Sequence, residues 1–481
     1  MLPLLNNLAF TMKKILTVLL VVGCFNGLMA QVMVSAHYLD LKKSKAHHEA
    51  LAAKEANNGQ LVVFASDKNT LTALQYNRAL FYKDSISTPR PDAAYEVMAG
   101  YSFNADGNPQ VYWANHDYSK ITALSFNFAT KAVATTAMRL PIQEETVLTT
   151  FSENNSYYIL TLPKEGEKLH LYIFNDGKYQ VKTLDFSAFE FYDPENDVTK
   201  LNDLLRDYSF QKVESNAFNA LPVAGSKIKL YVSPENMVLT LDHHPAVTQV
   251  FTIDTAFAIK ERLISQATLK QLGKSNSFYA NQKLYQLKFN DDEIVMSAKD
   301  LATGRLLRSY TAGKEDTLTF TNSPLLIQTG NKPAAEFKST KKWLSKAAQG
   351  SPAITVYQTP DDLMVVAGGL RNVVSTGDAI LAVALTGAVV MNGGYGGDGL
   401  GLFDSENVQS VYFESLFDDN FQYRPYQQTS LAIDHIGQFI GGNKNISLET
   451  VIPYNGYYIL GFYDAKAKKY VLLKFEDDYG Y

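Results

Sequence analysis

Apolar residues recur along this chain as short runs, several of them alternating with polar residues, and the runs repeat. Gln60-Leu61-Val62-Val63-Phe64-Ala65-Ser66-Asp67 and Gln110-Val111-Tyr112-Trp113-Ala114-Asn115-His116-Asp117 both open on Gln, pass through apolar positions and close on Asp. Further on, Leu71-Thr72-Ala73-Leu74-Gln75-Tyr76-Asn77 matches Ile121-Thr122-Ala123-Leu124-Ser125-Phe126-Asn127. A third copy follows, in which Tyr157-Tyr158-Ile159-Leu160 leads to Leu169-His170-Leu171-Tyr172-Ile173-Phe174-Asn175. Alternation over so few residues predicts half-buried strands, and the polar breaks between them predict turns. Asn77, Asn127 and Asn175 end matching strands, which makes the repeat about 50 residues long.

Repeats of roughly 40 to 50 residues, each holding several short strands, mark the blades of a β-propeller. The chain resembles the β-propeller architecture in general, all-β with roughly six to eight blades, although no WD40, kelch, NHL or YWTD motif is spelled out. A tandem β-sandwich is the alternative. Weaker echoes of the alternating strand end at Asp254, Asp300, Asp404 and Asp464. Asp300 to Gly304 reads as a hairpin turn. The uneven intervals between these markers imply inserted segments: a short helix near Leu201–Leu205 and a basic amphipathic helix within Glu336–Lys346. Residues Ala379 to Met391 are small and apolar apart from Thr386, and they run into Asn392-Gly393-Gly394-Tyr395-Gly396-Gly397-Asp398-Gly399. An unbroken apolar run is what a buried strand pair shows, and a protruding hairpin that meets a partner or membrane is the other reading. A phosphate-cradling loop fits poorly, because no Lys-Ser/Thr follows.

The start of the chain changes the picture by giving an address. Met12-Lys13-Lys14, an apolar run from Ile15 to Val22 and Leu28-Met29-Ala30 form a secretory signal peptide, too short to span a membrane. The Lys-Lys start and the Ala30-Gln31 junction resemble those of exported bacterial proteins. Two processing routes compete: a cut after Ala30, or acylation of Cys24 in Val21-Val22-Gly23-Cys24. The expected organisation is a signal peptide over 1–30, with an over-long start at 1–11, and a lead-in segment over 31–58. A single propeller-like domain follows over 59–481, with a glycine-rich insertion around 355–403. The expected location is the periplasm, the outer membrane or the exterior.

Composition narrows the chemistry. Cys24 is the only cysteine, so burial must stabilise the mature chain without disulfides, and neither a cysteine nucleophile nor a thiolate metal site exists. A formal net charge of −5 without a basic patch argues against nucleic acid. With 29 Tyr and 27 Phe against 2 Trp, the aromatics are of the kind that favour strands.

Asp242-His243-His244 is the best metal-like fragment, but adjacent strand histidines point to opposite faces, and a surface loop is expected. The acidic pairs in Asp291-Asp292-Glu293, Asp361-Asp362 and Asp418-Asp419 could serve glycan hydrolysis or are solvated turns. Asn104-Ala105-Asp106-Gly107-Asn108 lacks the closing Glu of a calcium loop and reads as a turn. No nucleophile elbow or His-Glu-x-x-His is present, and no cofactor is expected. The leading expectation is therefore a non-catalytic, envelope-associated interaction protein. Its partner would be an envelope protein or a membrane surface, met through Gly393, Gly394, Tyr395, Gly396, Gly397 and Asp398. The rival is a periplasmic glycan hydrolase or lyase using paired carboxylates, for which only Trp113 and Trp343, or tyrosines, would stack on sugar rings.

Overall fold

The computed structural model describes residues 31–42, 47–215, 217–330, 332–372 and 408–478. Among the described residues the strands form eight sheets, one a two-stranded hairpin (Phe191–Tyr192 with Val198–Thr199) and the other seven of four or five strands each. The seven larger sheets are the blades of a β-propeller. Blade 1 spans Glu49 to Pro89, blade 2 Val97 to Arg139, blade 3 Glu145 to Asp185 and blade 5 Lys274 to Gly313. Each of these is a plain antiparallel meander in chain order.

Position within a blade decides how a strand reads. Leu61–Ser66, second in blade 1, is buried along its whole length, whereas the outer strand of blade 2, Ala132–Arg139, is mostly exposed. Neighbouring blades cover both faces of strands near the axis, so these are continuously apolar and the alternation weakens. The core accordingly lies in the seams. One cluster joins Phe64 and Trp113 between blades 1 and 2, and another joins Tyr112 and Tyr157 between blades 2 and 3. The series continues round to Leu61, Tyr454 and Tyr470, which close the seam between blades 7 and 1. Stacking of Tyr112 on Tyr157, with ring centroids 5.1 Å apart, adds about 1 kcal/mol beyond the area buried.

Inner strands share one direction. Near their starts, which we call the front end, Met98 N donates to Glu49 Oε2 (2.8 Å). At their finishes, the rear end, Phe103 N donates to Asn155 O (3.1 Å).

Three blades depart from the simple meander. In blade 7, Ile446–Tyr454, Tyr457–Asp464 and Lys469–Phe475 are completed by Gln31–Tyr38, with Gln31 paired to Phe475 and Tyr38 to Lys469. The segment expected to lead into the ring is thus part of it: Gln31–Tyr38 is the outer strand of the last blade and Glu49–Lys54 the inner strand of the first. In blade 6 the inner strands Ser351–Gln358, Leu363–Asn372 and Val408–Phe417 are followed outward by Leu325–Thr329 and Ala335–Phe337, which come earlier in the chain. Helix α3 (Thr340–Ala347) carries the chain back to the inner strand. Residues 355–372 therefore belong to the blade's own strands and turn, and the interruption lies between Asn372 and Val408, which pair at the end of the ladder. The segments Ala379–Met391 and Gly393–Asp398, together with Asp404 and Cys24, lie outside the described residues.

Blade 4 begins with Phe210–Val213, which runs parallel to the next strand, Ile228–Val232. A parallel neighbour demands a crossover, and here it passes inside the ring. Its short helix α2 (Leu221–Ala224) packs on the inner strands of blades 4 and 6. Ala217 and Leu221 join the core between blades 6 and 7, and Phe218 N donates to Tyr458 Oη (2.8 Å). Helix α1 (Leu201–Asp207), expected from the sequence, precedes this blade at the front, and helix α4 (Ala432–Gly442) links blades 6 and 7.

The Asn and Asp markers have a common cause. Asn77, Asn127 and Asp300 close third strands and Asp254 the fourth strand of blade 4, and each side-chain Oδ1 accepts at least one backbone N–H of the turn that follows. In blade 6 this part is played by Asp418, which accepts from Asn420 N and Gln422 N.

Candidate functional site

A wholly buried ion pair with further hydrogen bonds lies in the seam between blades 4 and 5. Lys229 sits on the second strand of blade 4, Ile228–Val232, and Asp242 directly follows the neighbouring strand Asn236–Leu241. Both side chains are wholly buried, and Lys229 Nζ donates to Asp242 Oδ2 (2.9 Å), Ser226 O (2.6 Å) and Asn276 Oδ1 (3.3 Å). Asp242 also accepts from Thr248 Oγ1 (2.8 Å), Ser277 N (3.0 Å) and Ser277 Oγ (2.8 Å), so it ties the two blades together. Burial opposes its ionisation, but Lys229 and these donors outweigh burial and hold the carboxyl below the usual carboxylate range.

The two histidines after Asp242 are buried, not on a surface loop as expected: His243 is 7% exposed and His244 8%. Their Nε2 atoms donate to Tyr192 O (2.8 Å) and Asn196 Oδ1 (2.9 Å), and Gln249 Nε2 donates to Glu190 O (3.0 Å). These bonds strap the Phe191–Thr199 hairpin onto the front end of blade 4. His244 Nδ1 accepts from Ala246 N (3.2 Å), which fits a neutral ring, and burial pushes both histidines down. No group of three His, Cys, Asp or Glu residues among the described residues is arranged to hold a metal ion.

Two further acids hold the front end. Glu49 accepts from Arg90 Nη2 (2.8 Å), whose guanidinium lies 4.5 Å over the Trp113 ring, and so joins blades 1 and 2. In blade 3, Glu145 meets His170 Nδ1 (2.8 Å) and accepts from Thr161 Oγ1 (2.5 Å) and Tyr172 Oη (3.2 Å). Each acid touches a cation or imidazole and at least one further donor, an arrangement that fixes geometry more than it frees a group for chemistry.

The acidic pairs divide between the two ends. Asp292, in the front turn of blade 5, is bonded to Lys314, and Glu293 Oε1 accepts Lys270 N (2.5 Å). Asp361-Asp362 and Asp418-Asp419 come together at the rear of blade 6, since Leu363 and Phe417 between them are register partners. Asp362 accepts from Tyr426 Oη, and Asp418 holds its own turn. The Asn104–Asn108 segment is the expected turn: Asn104 Oδ1 accepts from Asp106 N and Asn108 N, and Gly107 takes a φ of 76°. Trp113 and Trp343 are both 0% exposed and present no ring face to a sugar.

One carboxyl pair escaped sequence reasoning. Glu414, in the third strand of blade 6, is pushed up to about 7 by burial and by Asp434 in the first turn of α4. The two are distant in sequence and belong to different elements, so no spacing could reveal them.

No family model matches the chain, and no curated protein matches it. Among solved structures it is similar to the WD40 domain of SCAP from fission yeast, at 8% identity over 93% of this chain and 97% of that one, with a TM-score of 0.35. An oligogalacturonate lyase in complex with manganese is similar with the same identity, coverages and TM-score. The Dos1 propeller is similar at 9% identity over 76% of this chain and 77% of that one, with a TM-score of 0.26. At such identities the likeness concerns the fold alone.

Proposed function

We propose that this is an exported, envelope-associated propeller that binds a partner through its front end and carries out no catalysis. The observation that carries this reading is that the two largest departures from plain four-stranded blades outside the ring both reach the front. The Phe191–Thr199 hairpin and α1 stand there, with Val198 77% and Tyr192 40% exposed. The extended strand pair of blade 6 also ends there, at Asn372 and Val408, with Gly393 to Asp398 in the stretch that joins them. Loops carried at one end of a rigid scaffold are where binding residues concentrate. The turn-bound acids and the buried tryptophans favour this over glycan chemistry.

Export is supported by the address at Met12–Ala30. The mass of the N-terminal peptide recovered from cells distinguishes that cut from acylation at Cys24.

The register supplies the functional test. Replacing residues 373–407 by Asn-Gly closes the ladder after the Asn372–Val408 pair with a two-residue turn. The shortened protein is expected to keep its melting temperature and to lose co-sedimentation with envelope fractions. Undiminished co-sedimentation would sink the assignment of the contact to this segment.

A further inference from the structure

The seam between blades 4 and 5 is electrically unbalanced. Lys227, Lys229, Lys288 and Lys299 reach into it, and among the described residues the one carboxylate they meet is Asp242, which is hydrogen-bonded to Lys229. Among the described residues Lys227 and Lys288 form no ion pair. Lys227 Nζ donates to Ser275 O (2.5 Å) and Lys288 Nζ to Pro245 O (2.8 Å). Lys288 is 9% exposed, and its Nζ is bonded to a backbone carbonyl instead of a carboxylate. Ser275 lies between the two: its carbonyl holds Lys227, and as the register partner of Lys288 it shares a sheet face with it. Ser275 is 2% exposed and its Oγ has no partner, and His243 Nδ1, on the adjoining loop, has none either. Two ammonium side chains with no ion pair among the described residues thus flank Ser275, one on its carbonyl and one on its register partner, and its hydroxyl has no partner.

We propose that Lys227, Lys288 and Ser275 Oγ form a site for one small oxyanion, a phosphate or a carboxylate, at the front of this seam. The oxyanion supplies the missing negative charge, and Ser275 Oγ donates to it. Burial, only partly offset by Asp242, pushes the Lys227 ammonium down to about 8, and burial pushes that of Lys288 down as well. The site does not depend on the partner-binding reading, since none of its residues belongs to the exposed hairpin or to residues 373–407.

The test is thermal unfolding of the full chain in sodium phosphate, sodium acetate and sodium chloride at equal ionic strength and pH 7. It is run on the native protein, Lys288→Met and Ser275→Ala, with each fold checked by circular dichroism. The native protein is expected to melt higher in phosphate or acetate than in chloride, and whichever anion does this identifies the source. Lys288→Met, which replaces a buried ammonium by an apolar chain of similar length, is expected to fold and to lose that increment. Titration calorimetry with the stabilising anion should show at least a tenfold weaker affinity for Ser275→Ala. Equal melting in all three salts, or an increment that survives Lys288→Met, overturns the proposal.

Discussion

Replacing Asp242 by alanine should be among the most damaging single changes to this ring. Four hydrogen bonds to the carboxylate, from Lys229, Thr248 and twice from Ser277, would vanish, and Lys229 would be left charged and wholly buried. Breaking a buried pair by removing one member costs about 3–5 kcal/mol, because the survivor's charge is uncompensated. Removing both members is a different matter: Lys229→Met with Asp242→Leu leaves no stranded ion, and the double variant should be more stable than Asp242→Ala. The sign of the pH dependence follows from the lowered carboxyl. Its contribution is present above the unfolded carboxylate's pKa, near 4, and is lost as pH falls through the lower folded value. The deficit of Asp242→Ala should therefore be largest near neutrality and shrink below about pH 4. Scanning calorimetry of the three proteins between pH 3 and 7 measures this. A neutral-pH deficit under about 1 kcal/mol, or a double variant as unstable as the single, would refute the reasoning.

Other perturbations have defined outcomes. Because the Glu414 carboxyl is raised to about 7, its protonated form is favoured by folding and its contribution is lost as pH rises towards and through 7; Glu414→Gln should gain in melting temperature over the native protein between pH 5 and 8. At Gly369, where α3 lies against blade 6, an added Cβ would stand 2.4 Å from Ala347 O, so Gly369→Ala should lower stability by about 1–3 kcal/mol in calorimetry. Arg90→Met should leave Glu49 buried without its cation; hydrogen exchange should show faster opening at Met98, whose N–H bonds to Glu49, than at Tyr279 in blade 5.

What the sequence disclosed follows from which features are local. The strand-closing Asn and Asp residues were legible because an Asx side chain holds its own turn, a bond spanning a few residues. Helices α1 and α3 were legible from their short periodic patterns. The turn residue Asp418 was not picked out as a marker because the outer strands of blade 6 come before its inner ones, so the repeat breaks there. Gln31–Tyr38 passed for a lead-in because its partner, Lys469–Phe475, lies at the far end of the chain. His243 and His244 looked like surface residues because the hairpin that covers them arrives from Glu190 to Asn196. The seam's charge imbalance is likewise assembled from separate strands, and no spacing rule describes it.

The pairing of Gln31–Tyr38 with Lys469–Phe475 makes the ring a clasp whose two halves are made first and last. During synthesis, the blade that seals the circle cannot form until nearly every residue is present, so the core between blades 7 and 1 assembles late. A clasp of this kind can also be fastened by another molecule. If the first strand slips out, it exposes an unpaired edge at Lys469–Phe475 that the same strand of a second copy fits in identical register. The joint that closes a single ring is thus also the place where two rings could become linked, at a rate set by how often that one strand lets go.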